Sequence, residues 1–381
     1  MKKIVLSGVN MVEGGILTIF RTLIKILSSD SDIKIICLVN KKELFESEML
    51  NDNIEFIEFP DVKRSWLKRI KFEFIDSYFI SRRLKADLWI CLHDITANLY
   101  RTKQMVYCHN PSPFYKVTKK DFTFDKKFFL FTIFYKLLYR INIKKNDTIF
   151  VQQEWIADNF RQWFGISNVL VSRPQNEKVA SNAEARDCNY NPFENKVIFF
   201  YPSFPRTFKN FEVIIKSLKL LKEKNINAYN KVVILLTIDD DMNKYSKHIC
   251  DEIRDAGISN IKLLGKLDIT AVHKIYRGSC DYLLFPSKLE TWGLPLTEAK
   301  SYEIPIIVSD LPYAHETIGN YKKCKFFDPE NYYSLSNVFE EIINKNITYD
   351  TNHQNTISPL CELNDWEQFK SYIIKSISTQ V

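Results

Sequence analysis

The stretch Leu283-Leu-Phe-Pro-Ser-Lys-Leu-Glu290-Thr-Trp-Gly293-Leu-Pro295-Leu-Thr-Glu298-Ala-Lys-Ser-Tyr-Glu-Ile-Pro305-Ile-Ile-Val-Ser309 decides the fold. The apolar run 282–285 has the length of a buried strand. Gly293 and Pro295 mark a loop entering a helix, which the pattern extends to about residue 302. A second apolar run, 304–308, supplies the next strand. Strand, loop, helix and strand make the repeating unit of a doubly wound parallel sheet.

Two carboxylates bring chemistry to this unit. Glu290 lies just beyond the strand's carboxyl end and Glu298 in the first turns of the helix. That edge is where open α/β sheets bind ligands. The amides of residues 293–297 form a helix N-terminus suited to an anion. A diphosphate with a polyhydroxylated group at each end fits this layout, with one carboxylate for the hydroxyls on each side. Nucleotide sugars are built that way.

The same residues resemble a known family. Glu290, Gly293, Leu294, Pro295, Glu298 and Ala299 match the Glu-x7-Glu signature of retaining GT-B glycosyltransferases, family 4 (glycosyl transferases group 1). Phe-Pro-Ser before it and Pro-Ile-Ile-Val-Ser after it fit as well. The resemblance implies that Glu290 contacts the donor sugar's hydroxyls and Glu298 the ribose. It places Thr291, Trp292, Gly293 and Leu294 on the donor. It also implies two Rossmann-like domains with a cleft between them, and a last helix that crosses back onto the first domain.

Working outward, 381 residues call for two domains. Composition is that of an ordinary soluble protein, and the net charge of +7 favours an anionic partner. The cysteines (Cys37, Cys91, Cys108, Cys188, Cys250, Cys280, Cys324 and Cys361) form no Cys-x-x-Cys pair. That predicts reduced thiols in a cytoplasmic protein, with neither a disulfide frame nor a zinc site. The first apolar run is too short for a signal peptide. Strand patterns recur at 4–7, 34–39, 54–59, 88–92, 104–108 and 148–151, alternating with helices. They repeat at 197–201, 232–238 and 261–264. Residues 175–195 are polar and aperiodic, the expected linker. The expected domains are therefore 1–174 and 175–364, with helix 365–381 returning to the first.

The remaining candidates lie at strand ends. Gly14 and Gly15 open a helix after the first strand, where a ligand can approach the backbone. The resemblance turns this loop toward donor diphosphate and acceptor. Lys209 follows strand 197–201, where a cation offsets charge on a phosphate leaving group. The resembled family carries an Arg six residues earlier. Here that position is Ser203, and Arg206 is the nearest guanidinium. His109 sits past strand 104–108 in a loop stiffened by Pro111 and Pro113, and the family has a His facing the donor sugar near this point. His93 and Asp94 occupy a similar edge and suit the acceptor side. Gly265 and Lys266 stand where family members pack the nucleobase. Asp239-Asp240-Asp241 could suggest a metal, but the family neutralises phosphate with amides and the Lys, so no metal or cofactor is expected.

Two basic aromatic stretches, 63–74 and 126–140, suit either an anionic membrane surface or core helices with charged outer faces. Neither spans a bilayer, and neither resembles a nucleic-acid module. The expected function is transfer of a hexosyl or deoxyhexosyl group from a nucleotide sugar to an acceptor hydroxyl with retention. The expected acceptor is a glycan or lipid-linked glycan of a bacterial surface polysaccharide, at the inner face of the plasma membrane. A GT-B epimerase or hydrolase, and a non-enzymatic membrane-associated binding protein, are the alternatives.

Overall fold

The computed structural model describes residues 1–48, 51–173, 193–351, 362–363 and 365–378. Most of the expected linker, and Cys188 and Cys361, lie outside the described residues. The chain divides into two compact units. One comprises Met1–Phe114, Ile133–Gln175 and Ser358–Val381, the other Tyr115–Thr132 and Asn176–Ile357.

The strands are β1 (Lys2–Ser7), β2 (Ile33–Val39), β3 (Ile54–Glu58), β4 (Leu88–Cys91), β5 (Lys103–Cys108), β6 (Thr148–Val151), β7 (Val169–Ser172), β8 (Val197–Tyr201), β9 (Val232–Leu236), β10 (Ile261–Leu263), β11 (Tyr282–Phe285), β12 (Ile306–Ser309), β13 (Cys324–Phe327) and β14 (Glu362–Leu363). The first sheet runs β14-β7-β6-β5-β4-β1-β2-β3 and the second β10-β9-β8-β11-β12-β13. Every neighbouring pair is parallel. The sequence explains this. β4 (LWIC), β6 (TIFV) and β9 (VVILL) are apolar throughout and buried at every residue, as strands covered by helices on both faces must be.

In the first unit, Ile4, Leu6, Ile35, Leu88 and Phe150 share one core with Phe20 and Leu23 of the helix Gly14–Ser28. The helix Trp366–Ser378 joins it through Phe369 and Ile373. Phe369 packs on Phe150 at 4.6 Å, and the Tyr372 and Thr148 hydroxyls meet at 2.7 Å. β14 pairs with β7, so residues 362–363 extend the first sheet.

The division differs from one cut at 174/175, because residues 115–132 belong with the second unit. Their side chains explain it: Asp121 and Asp125 bond Thr207 and Arg206.

Each sheet has one place where strand order reverses. In the first it lies between β1 and β4, in the second between β8 and β11. Loops leaving two such strands diverge and leave a crevice at their carboxyl ends.

Candidate active site

Lys209 and Glu290 follow the two strands at the reversal point of the second sheet, β8 and β11. Lys209 ends a tight turn, Thr207–Lys209, and Asn210 closes that turn in the left-handed region at φ 58°. The Tyr201 hydroxyl donates to the Lys209 carbonyl at 3.0 Å. The Asn210 amide donates to the carbonyls of Pro286 at 3.2 Å and Pro329 at 2.9 Å. Thus held, the Lys209 ammonium forms an ion pair with the Glu290 carboxylate. Both side chains are largely buried, and Nζ lies 5.6 Å from the ring centres of Phe208 and Phe285. Burial, then the Glu290 charge, pushes the Tyr201 and Tyr313 hydroxyls up from their ordinary pKa.

Gly293 turns the chain into the helix Leu294–Ser301, with Pro295 in its first turn. Its φ of +72° admits glycine readily, and a Cβ there would sit 3.1 Å from Leu296 Cδ1. Pro295 has no N–H, and the Leu296 N–H bonds the Gly293 carbonyl at 2.9 Å. Of the amides of residues 293–297, Pro295 and Leu296 are therefore not presented at this helix start, which leaves Gly293 and Leu294 at its tip. The Trp292 indole donates to Thr297 Oγ1 at 3.0 Å, and the Trp292 carbonyl accepts from Thr317 Oγ1 at 2.6 Å. Glu298 is partly buried, which raises its carboxyl pKa; nearby His273 opposes the shift. Thr291 lies in the Glu290–Gly293 loop, and Leu294 is exposed.

Three predicted positions stand apart from that pair. Arg206 turns to Asp125 and is about half exposed. Gly265 has φ +67°, and a Cβ on it would meet Asp239 Oδ2 at 2.8 Å, so its lack of a side chain makes room for that carboxylate. Lys266 is exposed. The Asp239 carboxyl is raised by its hydrogen bond with Asp241, while Asp240 pairs with Arg254.

In the first unit a recess of about 230 Å³ opens at the reversal point between β1 and β4. Asn10, Lys63, Arg69, His93, Asp94 and His109 line it. The His109 ring stacks on Tyr107 at 4.5 Å, and its Nδ1 lies 3.1 Å from the Gln152 amide nitrogen. Burial lowers its pKa and favours the neutral ring. With Gln152 donating to Nδ1, the ring proton sits on Nε2. Asp94 holds the backbone of this loop, accepting the N–H groups of His109 at 2.6 Å and Asn110 at 3.0 Å. The hydroxyls of Tyr135 (3.1 Å) and Tyr139 (3.3 Å) also reach its carboxylate. Gly14 and Gly15 begin the helix Gly14–Ser28, and a Cβ at either would meet nothing within 4 Å. Gly14 is favoured by its backbone, φ +68°, while Gly8 is required by space, since an added Cβ would strike the Phe20 ring.

Arg69, read as one of a row of surface cations, turns inward. Its Nη2 donates to the His93 carbonyl at 2.6 Å and reaches His93 Nδ1 at 3.1 Å. Fully buried Glu73 lies beside both, 3.2 Å from His93 Nδ1. Burial pushes the Glu73 carboxyl up to about 8, with Arg69 opposing. Burial, then Arg69, holds His93 well below the ordinary imidazole range.

Residues 182–358 match the family model described as glycosyl transferases group 1. Over those residues the chain is similar to that family. Over 251 residues, 65% of the chain, it is 22% identical to the O-antigen chain mannosyltransferase RfbU of Salmonella typhimurium, strain LT2. That match spans 64% of RfbU, just under two thirds of the relative's length. Among solved structures, the lipopolysaccharide outer core galactosyltransferase WaaB in its apo form superposes with a TM-score of 0.65 at 16% identity, over 99% of this chain and 100% of that one. Sucrose-phosphate synthase from Thermosynechococcus elongatus gives 0.63 at 12%, over 99% and 98%. Anabaena HepE in complex with UDP gives 0.58 at 14%, over all of both chains. The fold is that of these structures, GT-B, with two parallel-sheet α/β units.

Sequence reasoning named Lys209, Glu290, Gly293 and Glu298, which the fold brings to one sheet edge, and His109 at another. It passed over Asp121, which bonds the Lys209 turn: Thr118-Lys-Lys-Asp121 signals a helix start locally, but nothing in it points to Thr207. Gly8 was legible in principle, as a glycine directly after a strand and before a helix.

Proposed function

We propose that this glycosyltransferase is a retaining family 4 enzyme. It moves a hexosyl or deoxyhexosyl group from a nucleotide sugar to an acceptor hydroxyl during assembly of a bacterial surface polysaccharide. The Lys209–Glu290 pair at the reversal point of the second sheet carries this reading. Lys209 is the cation for the departing diphosphate, with the Gly293 and Leu294 amides beside it in the donor set. Glu290 takes the sugar hydroxyls and Glu298 the ribose. Thr291 and Trp292 shape that loop, while Gly265 and Lys266 face the base. Arg206 acts at most through Asp125. His109, with the Gly14–Gly15 helix start, serves the sugar and the acceptor. No metal is needed where Lys209 supplies the charge.

The proposed chemistry is a front-face displacement. The bond from the anomeric carbon to the diphosphate oxygen breaks as the acceptor oxygen bonds that carbon on the same face. The acceptor proton passes to the departing phosphate.

The acceptor in this reading is lipid-linked, and the first unit rests on the inner face of the plasma membrane. An exposed apolar face supports that. Trp66, Leu67, Ile70, Ile75 and Phe79 are exposed on one stretch, and Ile133, Phe134, Leu137 and Ile141 on another. Trp66 and Tyr135 join the two at 6.1 Å. Lys63, Arg64, Lys68, Lys136 and Arg140 supply charge for anionic lipid. No helix among the described residues is long and apolar enough to cross a membrane.

A thermal-shift screen of UDP-, GDP-, ADP- and dTDP-sugars tests the donor assignment, because a ligand of the native state raises its melting temperature. One class should stabilise the protein, and Glu298→Ala should remove most of that shift. No shift with any donor, or one unchanged in Glu298→Ala, would refute the site. Turnover of donor without acceptor, with the sugar epimerised or hydrolysed, would favour the rival enzyme class.

A further inference from the structure

Residues 115–132 interrupt the first unit in sequence but belong to the second. We propose that this segment is a strap that positions the Lys209 turn for catalysis, with Asp121 and Thr207 as positioning residues. The proposal rests on the assignment of Lys209 and Glu290 above.

The contacts fall on three consecutive residues. Arg206 pairs with Asp125, Thr207 donates its hydroxyl to Asp121, and Phe208 packs between Phe128 at 5.1 Å and Tyr115 at 6.3 Å. The next residue is Lys209. Asp121 is fully buried and bonded on both oxygens. Its Oδ2 accepts the Thr118 N–H at 2.6 Å and hydroxyl at 2.7 Å, closing a capping box at the start of the helix Lys119–Phe124. Its Oδ1 accepts from Thr207. A buried carboxylate that loses a donor leaves an uncompensated acceptor, so the strap and the turn favour one register. Lys120 fixes the strap again through Glu212 at 2.7 Å, and Glu212 also accepts from the Tyr245 hydroxyl at 2.8 Å.

The turn passes this constraint on. The Phe208 carbonyl accepts the Lys288 N–H at 2.7 Å, two residues before Glu290. One short peptide thus meets the strap through its side chains and sets both members of the ion pair. Tyr201 and Asn210 hold the end of the turn, and the strap holds its start through Arg206, Thr207 and Phe208. Misplacing a charged group by about 1 Å can cost on the order of a hundredfold in rate.

Thr207→Val removes the hydroxyl donor at nearly constant volume, and Thr207→Ser keeps it. Two readouts are compared: nucleoside diphosphate release from UDP-glucose, UDP-galactose and GDP-mannose in the presence of a lipid-linked glycan acceptor, and amide hydrogen exchange at Lys209 and Lys288. We expect Thr207→Val to lower kcat about tenfold with donor KM within about twofold, and Thr207→Ser to restore most of it. Exchange at both amides should quicken in Thr207→Val while β9 is unchanged. Asp125→Asn, which loosens the partly exposed Arg206 pair, should give a smaller change in the same direction and decides the matter if Thr207→Val does not fold. Unchanged kcat, a rise in KM alone, or unchanged exchange at Lys288 would overturn the strap. Lys209→Ala in the same assay separates the two claims. Near-normal turnover there sinks the site assignment, while the exchange data still judge the strap.

Discussion

Asp94 and His109 are joined through the backbone of the histidine: Asp94 Oδ1 accepts its N–H at 2.6 Å. The same carboxylate takes the Asn110 N–H and meets two tyrosine hydroxyls. It therefore fixes the loop that aims His109 into the recess between β1 and β4. Asp94→Ala takes the acceptor from the His109 and Asn110 N–H groups and the Tyr135 hydroxyl, while Tyr139 keeps the Asn110 carbonyl at 3.0 Å; each donor left buried and unmet costs about 1–3 kcal/mol. We expect a marked fall in melting temperature together with loss of turnover. A variant with wild-type stability would show that the loop is held by other contacts.

Lys209→Ala and Glu290→Gln probe the second sheet's ion pair from its two sides. Removing the lysine takes away the cation for the leaving group and should cut turnover by two to three orders of magnitude, about 3–4 kcal/mol of barrier. Glu290→Gln retains an acceptor and should lose less. Circular dichroism must show both variants folded. Activity within a few-fold of wild type in both would count decisively against the site.

Glu73 gives stability a pH dependence of definite sign. Its folded-state pKa, about 8, lies above the ordinary carboxylate value, so the fold favours the protonated carboxyl. The contribution is whole below the unfolded pKa, about 4.3, and is lost as pH rises through about 8. Melting temperature should therefore decline between pH 5 and 8 from this group, and Glu73→Gln should flatten the decline. Parallel profiles for the two proteins would mean that Arg69 stabilises the ionised form far more than burial opposes it.

The exposed apolar face predicts lipid binding. Co-sedimentation with phosphatidylglycerol-rich vesicles should exceed that with phosphatidylcholine and weaken with salt, as charge attraction to a surface requires. Leu67→Ser combined with Leu137→Ser should reduce it several-fold without altering melting temperature. Equal binding to both vesicle types would exclude the electrostatic part of the mechanism.

Much of the fold was legible because its strands are buried on both faces. Runs such as 232–236 and 282–285 are apolar at each residue and separated by helix-length intervals, a pattern with few other readings. The reach from Glu290 to Glu298 was legible because Gly293 and Pro295 fix where the helix starts. Other features depend on contacts between distant segments. Nothing local marks 115–132 as part of the second unit, since the partners Arg206, Thr207 and Phe208 lie about ninety residues away in sequence. Nor did the row of cations at 63–71 reveal that Arg69 alone turns inward, because its burial depends on Glu73 one helical turn on and on His93 in the loop after β4. The outward face of 126–140 was left open between lipid and core. Its exposed residues repeat at three- and four-residue steps, a spacing that also describes a buried stripe.

The helix Trp366–Ser378 supplies Phe369 and Ile373 to a core whose first strand begins at Lys2. During synthesis the ribosome must therefore make the whole second unit before the first can close over its own sheet. Until then Phe150 and Tyr107 lack the aromatic neighbour that covers them. Nascent chains paused before residue 366 should thus be sensitive to protease throughout the first unit, and the order of translation becomes part of how this protein avoids or invites aggregation.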